Sequence, residues 1–223
     1  GELDRIFGSL PEHASLIPVA DVTPNLGEAV SVNYPLAQTS LQLAYRGISR
    51  SDPEFFPALL MNHVLGGGAF SSRLFDEVRE KRGLAYSISS SLKLLNDTGT
   101  LLIRAGVDNT NLVSAIKLIL KVLSQIKRNG VTDNEFSRAK DYLLGQLMLG
   151  LEDTMDQMLW IGEGLIAKNE VRRLEDLIKA YKKVKKEDIK RIAKEIFNKN
   201  QFNLAVVGPI SEEQQQKLNK IFV

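Results

Sequence analysis

Residues 65–90, LGGGAFSSRLFDEVREKRGLAYSISS, are the most informative stretch of this sequence. Three successive glycines, Gly66 to Gly68, follow an apolar run, and glycine permits both positive φ and close approach of backbones. A helix is predicted from about Ser71 to Gly83, a typical C-terminal capping residue. Apolar and polar residues then alternate from Leu84 to Lys93, which predicts a strand. The glycines suit a plain turn between helices; a phosphate-binding loop is poorly supported, since no Gly-Lys-Ser/Thr follows.

Strands are also predicted on both sides of this stretch. Residues 29–34 and 39–46 alternate in polarity and carry β-branched or aromatic side chains, as half-buried strands do. Ser51-Asp52-Pro53 has the composition of a helix start and predicts a helix that ends at the glycines. Asn96-Asp97-Thr98-Gly99 is typical of a turn, so residues 84–107 are predicted to form a β-hairpin.

The remainder of the chain is mostly helical. A stripe with a period near 3.6 residues predicts a helix over 111–128, and Thr132 with Glu135 has the spacing of a capping box for the next helix. A helix is predicted over 155–167 and a Lys-rich pair of helices over 174–198, then a strand over 202–207 and a closing helix from Ser211. This order predicts an α+β fold, in which helices pack on one face of a mainly antiparallel sheet.

The expected organisation is one domain over residues 25–223. Residues 1–24 are expected to be the tail of a preceding, similar repeat and a linker, because Leu3 to Phe7 resembles Leu218 to Phe222 in character and Pro11 to Pro24 has little periodicity. The start at Gly1 is consistent with a cut near the joint between two repeats.

Composition excludes several classes of protein. The 223 residues include 29 Lys and Arg, 27 Asp and Glu, two His and no Cys. Disulfide frameworks, thiol nucleophiles and most histidine-built metal sites are therefore excluded for this chain alone. The near-neutral charge argues against nucleic-acid binding, and no apolar run reaches the length of a membrane span. A soluble protein is expected, its compartment left open, with the bacterial cytoplasm as one candidate.

The charged residues between Asp76 and Arg82 have two interpretations. A run of this kind is usually a solvated helix face. Arg79, however, lies near the helix end, Gly83 turns the chain, and Tyr86 lies just inside the next strand. A guanidinium and a phenol brought to one concave spot could hold a peptide carbonyl or an oxyanion, since both are hydrogen-bond donors.

With its flanking pattern, the segment resembles the second, non-catalytic repeat of the inverted zinc peptidases, a family that includes pitrilysin, insulin-degrading enzyme and the mitochondrial processing peptidase. The specific residues are those of Leu65 to Gly68, Ser71 to Phe75 and Arg79 to Ser87. The resemblance implies two homologous domain types that enclose a peptide. One carries His-x-x-Glu-His and zinc, and the other contacts substrate through an arginine and a tyrosine, here Arg79 and Tyr86, with Gly66, Gly67 and Gly68 also assigned to substrate binding.

The zinc motif itself is missing from the position where the resemblance would place it. Residues 59–63 read Leu-Leu-Met-Asn-His, so Leu59 replaces the first ligand and Asn62 replaces the general base. Leucine cannot ligate a metal and asparagine cannot accept a proton from water. His63 is then expected to be structural, and Glu135 has no metal site to complete. The other histidine, His13, falls in the linker and is expected to be solvated.

We therefore expect a zinc-free and inactive isolated chain that holds peptide for a partner domain carrying His-x-x-Glu-His, in the same polypeptide or in a partner subunit. The alternative is a structural subunit with no catalytic role, as in the core proteins of respiratory complexes. Two weaker features remain open. Trp160 and its neighbours Met155, Met158 and Leu159 suit a core or an interface with a partner domain, and Tyr45-Arg46 could pair with an extended peptide if its strand lay at a sheet edge. A dimer is also among the expectations.

Overall fold

The computed structural model describes residues 1–9, 27–168, 171, 173–198 and 202–221. The expected linker, Pro11 to Pro24, therefore lies outside the described residues, and His13 with it. The short helix α1, Glu2–Phe7, precedes it and has no buried residue. The division at residue 24 stays a prediction.

Five strands form one sheet in the order β1-β5-β2-β4-β3. They are β1 Ala29–Asn33, β2 Thr39–Arg46, β3 Ala85–Leu94, β4 Gly99–Val107 and β5 Phe202–Gly208. Only the pair of β1 and β5 is parallel among these strands, and β3 and β4 form the predicted hairpin. Because β2 lies between β4 and β5, the suggestion that Tyr45-Arg46 could pair with a peptide at an edge is wrong.

Helices cover one face of the sheet. They are α2 Phe55–Asn62, α3 Leu112–Asn129, α4 Asp133–Leu149, α5 Thr154–Lys168, α6 Leu174–Lys183, α7 Lys186–Ile196 and α8 Glu212–Asn219. Alternate residues of β2 and β4, among them Leu43 and Ile103, are fully buried beneath them, together with Ile116 and Ile119 of α3. The predicted α+β class, with helices on one face of a mainly antiparallel sheet, is confirmed.

Two local differences from the sequence prediction concern the region around the glycines. Helix α2 begins at Phe55 rather than at Ser51, because the Asp52 carboxylate accepts the Glu54 amide at 2.7 Å and holds a turn there. The helix then continues directly as a π-helical turn, His63–Gly67, and a second π-helical segment spans Phe75–Glu80. Such wider turns are uncommon and frequently occur at functional sites.

Helix α5 differs from the other long helices because none of its described side chains is buried. Met155, Met158 and Leu159 are each more than half exposed, and Trp160 is only partly buried. The core interpretation of this segment is therefore wrong. Within the described chain no helix is both long and apolar enough to cross a membrane.

Candidate functional site

A left-handed turn at Gly83 joins the second π-helical segment to β3. Gly83 has φ +59°, its amide donates to the Arg79 carbonyl at 2.9 Å, and the Leu84 amide donates to the Val78 carbonyl at 2.9 Å. These bonds satisfy carbonyls that a helix end leaves open. The predicted C-cap is confirmed, and it separates Arg79, on the helical side, from Tyr86, on the strand side.

Arg79 differs from its basic neighbours in its partners. The Lys81 ammonium bonds the Asp76 and Glu77 carboxylates at 2.6 and 2.8 Å, and Arg82 bonds Glu77 at 2.6 Å. Arg79 is exposed, and its guanidinium lies 4.8 Å from the centre of the Phe75 ring. Among the described residues it has no ion pair. Its donors are therefore available to a ligand while the ring fixes the side chain.

Tyr86 occupies a β-bulge. The pairing of β3 with β4 shifts between Ala85 and Ser87, so Tyr86 is the extra residue in the register. As a result Tyr86 and Ser87 are both exposed, between the buried Ala85 and Ile88. Tyr86 is 55% exposed, and its hydroxyl has no hydrogen bond to any residue that the structure describes. Bulges commonly re-aim one side chain in this way beside functional sites.

The open face of the sheet carries a polar depression of about 570 Å³. Ser87 and Ser89 of β3, Gln42 of β2 and Arg104 of β4 contribute to its lining, and Arg104 donates to the Gln42 amide oxygen at 3.2 Å. Sequence reasoning did not identify this surface. The signal was present in the polar positions of each strand, but only the strand order shows which of them share a surface.

The three glycines are used for close approach and not for positive φ, since positive φ among described glycines is limited to Gly27, Gly83 and Gly130. Gly66 is buried, and a Cβ there would lie 2.6 Å from the Ser90 amide nitrogen of β3. Gly67 is exposed and Gly68 is partly so. The turn thus packs against β3 at Gly66 and presents its backbone to the surface at Gly67.

A partly buried ion pair fixes the segment that follows the glycines. The Arg73 guanidinium bonds both carboxylate oxygens of Glu135, at 2.5 and 2.7 Å, and donates to the Gly130 carbonyl at 3.1 Å. Glu135 also accepts the Thr132 amide and hydroxyl, which confirms the predicted capping box. Partial burial raises the pKa of Glu135, but the hydrogen bonds and charge of Arg73 and the Thr132 donors outweigh it and lower that pKa to about 2.

The position of the missing zinc motif is occupied by structural contacts. The His63 ring is buried and stacks on Tyr142 at 4.6 Å between centroids, and burial lowers the pKa of His63. The Asn62 side chain accepts the Ser90 hydroxyl at 2.8 Å. His63 and Glu135 line one small cavity of about 10 Å³, no more than a single water needs.

These residues do not fit a zinc ion. In the part of the chain that the structure describes, no three His, Asp or Glu side chains cluster so as to hold a metal. Glu135 could be a ligand only by giving up its bidentate arginine, and Asn62 cannot act as the base.

The comparisons with known proteins identify the class. A family model described as the peptidase M16 inactive domain matches residues 2–143. An uncharacterized zinc protease of Streptomyces coelicolor is 34% identical over 182 residues, 82% of this chain and 39% of the relative. The uncharacterized zinc protease YmxG of Bacillus subtilis is 32% identical over 172 residues, 77% of this chain and 42% of the relative. The chain belongs to the peptidase M16 inactive domain family.

A solved structure agrees with this assignment. The crystal structure of a peptidase M16 inactive domain from Pseudomonas fluorescens superposes with a TM-score of 0.75 and 29% identity, over 82% of this chain and 43% of that one. The chain therefore spans about two fifths of the length of these relatives. The predicted resemblance to the non-catalytic repeat is confirmed.

Proposed function

We propose that this chain is the substrate-binding, non-catalytic half of a zinc metallopeptidase. It holds an extended peptide and assists oxyanion stabilisation, while a partner domain with His-x-x-Glu-His supplies zinc and the general base. That partner lies in the same polypeptide or in a separate subunit. As an isolated chain the protein binds no zinc and cleaves no peptide.

The observation that carries the proposal is the pair of unpaired donors on either side of Gly83. Arg79 and Tyr86 are exposed without an ion pair or hydrogen bond to a described residue, whereas Lys81 and Arg82 are held by acidic neighbours. The π-helical segment that carries Arg79 packs against β3, which carries Tyr86. Donors held in place before the substrate arrives stabilise a developing negative charge without reorganising.

The surroundings of the pair suit an extended peptide. The polar depression on the open face begins at Ser87, next to Tyr86, and offers hydroxyl, amide and guanidinium groups. Gly67 is exposed to a neighbouring chain, and buried Gly66 supports it by packing against Ser90. The Gly68 backbone is already bonded within the fold, because its amide donates to His63 and its carbonyl accepts from Ser71. A peptide backbone needs partners of this kind because each residue carries both a donor and an acceptor.

The partner domain docks, in this proposal, on the exposed apolar side chains of α5. These define the α5 surface, and the most exposed of them, Ile166, is 91% exposed. An isolated helix of 15 residues is marginally stable in water, so it needs a surface to pack against. The relatives extend well beyond the matched part, so we assign this surface to the catalytic domain rather than to a second copy.

The test measures peptidase activity of the chain joined to its catalytic partner, with Arg79→Ala and Tyr86→Phe. We expect kcat/KM to fall about 10- to 100-fold in each, because each change removes one donor to the charge of the transition state. Arg82→Ala is the matched control. It removes the same group three residues away, from an exposed ion pair of small energetic value, and should leave kcat/KM nearly unchanged.

The alternative function, a structural subunit, predicts a different result. If Arg79→Ala and Tyr86→Phe both match the Arg82→Ala control, the donors serve only the fold and the substrate-binding proposal fails. One equivalent of zinc retained by the isolated chain would contradict the division of roles between the two halves.

A further inference from the structure

A second cavity lies at the opposite end of the sheet from Tyr86. Its volume is about 750 Å³, and Tyr45 of β2, Phe197 after α7 and Phe202 of β5 contribute to its lining. Tyr45 pairs with Leu101 in the sheet, whereas Ala85, next to Tyr86, pairs with Val107. Six residues of β4 separate these pairs, which corresponds to roughly 20 Å along an extended strand. The cavity is thus separate from the proposed peptide site.

The floor of the cavity is aromatic and carries one polar group. The Tyr45 ring lies 5.5 Å from Phe197 and 5.2 Å from Phe202 between centroids. Tyr45 is only 4% exposed, and burial raises the pKa of its hydroxyl, which therefore remains a donor at neutral pH. That hydroxyl has no hydrogen bond to a described residue, yet it is not an enclosed, unsatisfied atom. Tyr45 is also one of the residues that line the cavity.

Three basic side chains line the cavity beside the aromatic residues. Lys127 and Arg128 come from the last turn of α3, and Lys194 comes from α7. The Lys127 ammonium donates to the Phe197 carbonyl at 2.8 Å, which fixes it at the cavity wall. Arg128 and Lys194 are exposed and have no ion pair within the described chain, and no acidic side chain is among the described lining residues.

We infer that this cavity binds a small amphipathic carboxylate, with its apolar or aromatic body on the Tyr45–Phe197–Phe202 floor and its carboxylate among Tyr45, Arg128 and Lys194. The volume lies within the usual range of small-molecule sites, which combine an apolar lining with few polar groups. A carboxylate matches the group of donors because it accepts from a guanidinium, an ammonium and a phenol together. This site goes beyond the proposed peptidase role and does not depend on it.

The experiment is a calorimetric titration of the chain with octanoate and, as the uncharged matched probe, octanol. We expect saturable one-to-one binding of octanoate and much weaker binding of octanol. N-acetylphenylalanine serves as a second probe, because it mimics the carboxyl end of a peptide. Whichever acid binds tighter shows whether a free alkyl acid or a peptide end is the preferred source of the carboxylate.

Two variants assign the binding to the cavity. Arg128→Gln with Lys194→Gln should weaken octanoate about tenfold or more, and Lys182→Gln with Lys183→Gln, an equal loss of charge at the end of α6, should change nothing. Tyr45→Phe should weaken octanoate several-fold with an unchanged melting temperature, since its hydroxyl has no partner in the fold. Absence of saturable binding of both octanoate, below its micellar concentration, and N-acetylphenylalanine would overturn the inference. So would binding of octanol equal to that of octanoate, or equal losses in the two double variants.

Discussion

The ion pair between Arg73 and Glu135 gives the sharpest prediction for stability. Glu135→Gln removes the charge but keeps the capping box, because glutamine also serves at that position. The carboxylate has a pKa of about 2 in the fold against an ordinary value of 4.5. At 1.36 kcal/mol per pH unit the difference corresponds to about 3 kcal/mol as an upper limit. Both side chains are nearly one fifth exposed, so water screens part of this and we expect about 2 kcal/mol.

The dependence on pH has a definite sign. Because the pKa of Glu135 is lower in the folded state, its stabilisation is present above the ordinary pKa of 4.5 and is lost as the pH falls towards 2. Urea unfolding of the wild type and of Glu135→Gln should therefore differ by about 2 kcal/mol at neutral pH and by less than half of that near pH 3. The gap that remains near pH 3 still includes the charge of the pair, because a carboxylate with a pKa of about 2 is largely ionised there in the folded state.

Asp133→Asn is the matched control for this measurement. Asp133 lies two residues earlier in the same helical turn and pairs with Lys186, but its side chain is 91% exposed. We expect little change in the free energy of unfolding at any pH. If Glu135→Gln behaves like Asp133→Asn, or if its effect is the same at pH 7 and pH 3, the ion pair does not fix this segment as we argue.

The remaining predictions concern single positions. Gly66→Ala should destabilise the fold by about 1–3 kcal/mol in urea unfolding, because its Cβ would meet the Ser90 backbone, whereas Gly145→Ala, with open space in α4, should stabilise it by about 0.5–1 kcal/mol. Gly83→Ala should cost about 1 kcal/mol by the same assay, since φ there is +59°, and a loss no larger than that of Gly83→Asn would argue against strain. Ile166→Asp should leave the melting temperature of the isolated chain unchanged and weaken its complex with the catalytic partner in a pull-down titration; unchanged binding would remove α5 from the docking surface.

Local signals predicted the elements whose ends are set by nearby residues. The hairpin of β3 and β4, the long helix α3 that ends before Gly130, and the capping box at Thr132 all follow from turn and cap chemistry within a few residues. The start of α2 was misplaced because the Asp52 side chain closes a turn there before the helix begins. Side-chain oxygens and backbone carbonyls this close in sequence compete for the same backbone amides. Amino-acid composition alone does not decide which of these hydrogen bonds forms.

Features that depend on distant contacts could not be read from the sequence. The apolar residues of α5 have the same spacing whether the helix packs in a core or at an interface. Only the structure, in which no described side chain of α5 is buried, distinguishes the two cases. The central place of β2 depends on β5, which follows more than 150 residues later in the chain. In the same way, the sequence nominated Arg79 within a charged run, but only the ion pairs of Lys81 and Arg82 separate it from that run.

The positions at which the resemblance would place the zinc motif carry structural contacts. At the place where the resemblance puts the base, Asn62 ties the glycine turn to β3 through Ser90. At the second ligand, His63 stacks on Tyr142 of α4, and beside it Glu135 holds Arg73. Each group now supports the segment between Gly66 and Gly83, which leads to Arg79 and Tyr86. Introducing a metal ligand there would therefore remove a support of Arg79 and Tyr86, so metal binding and the proposed function would compete for the same side chains.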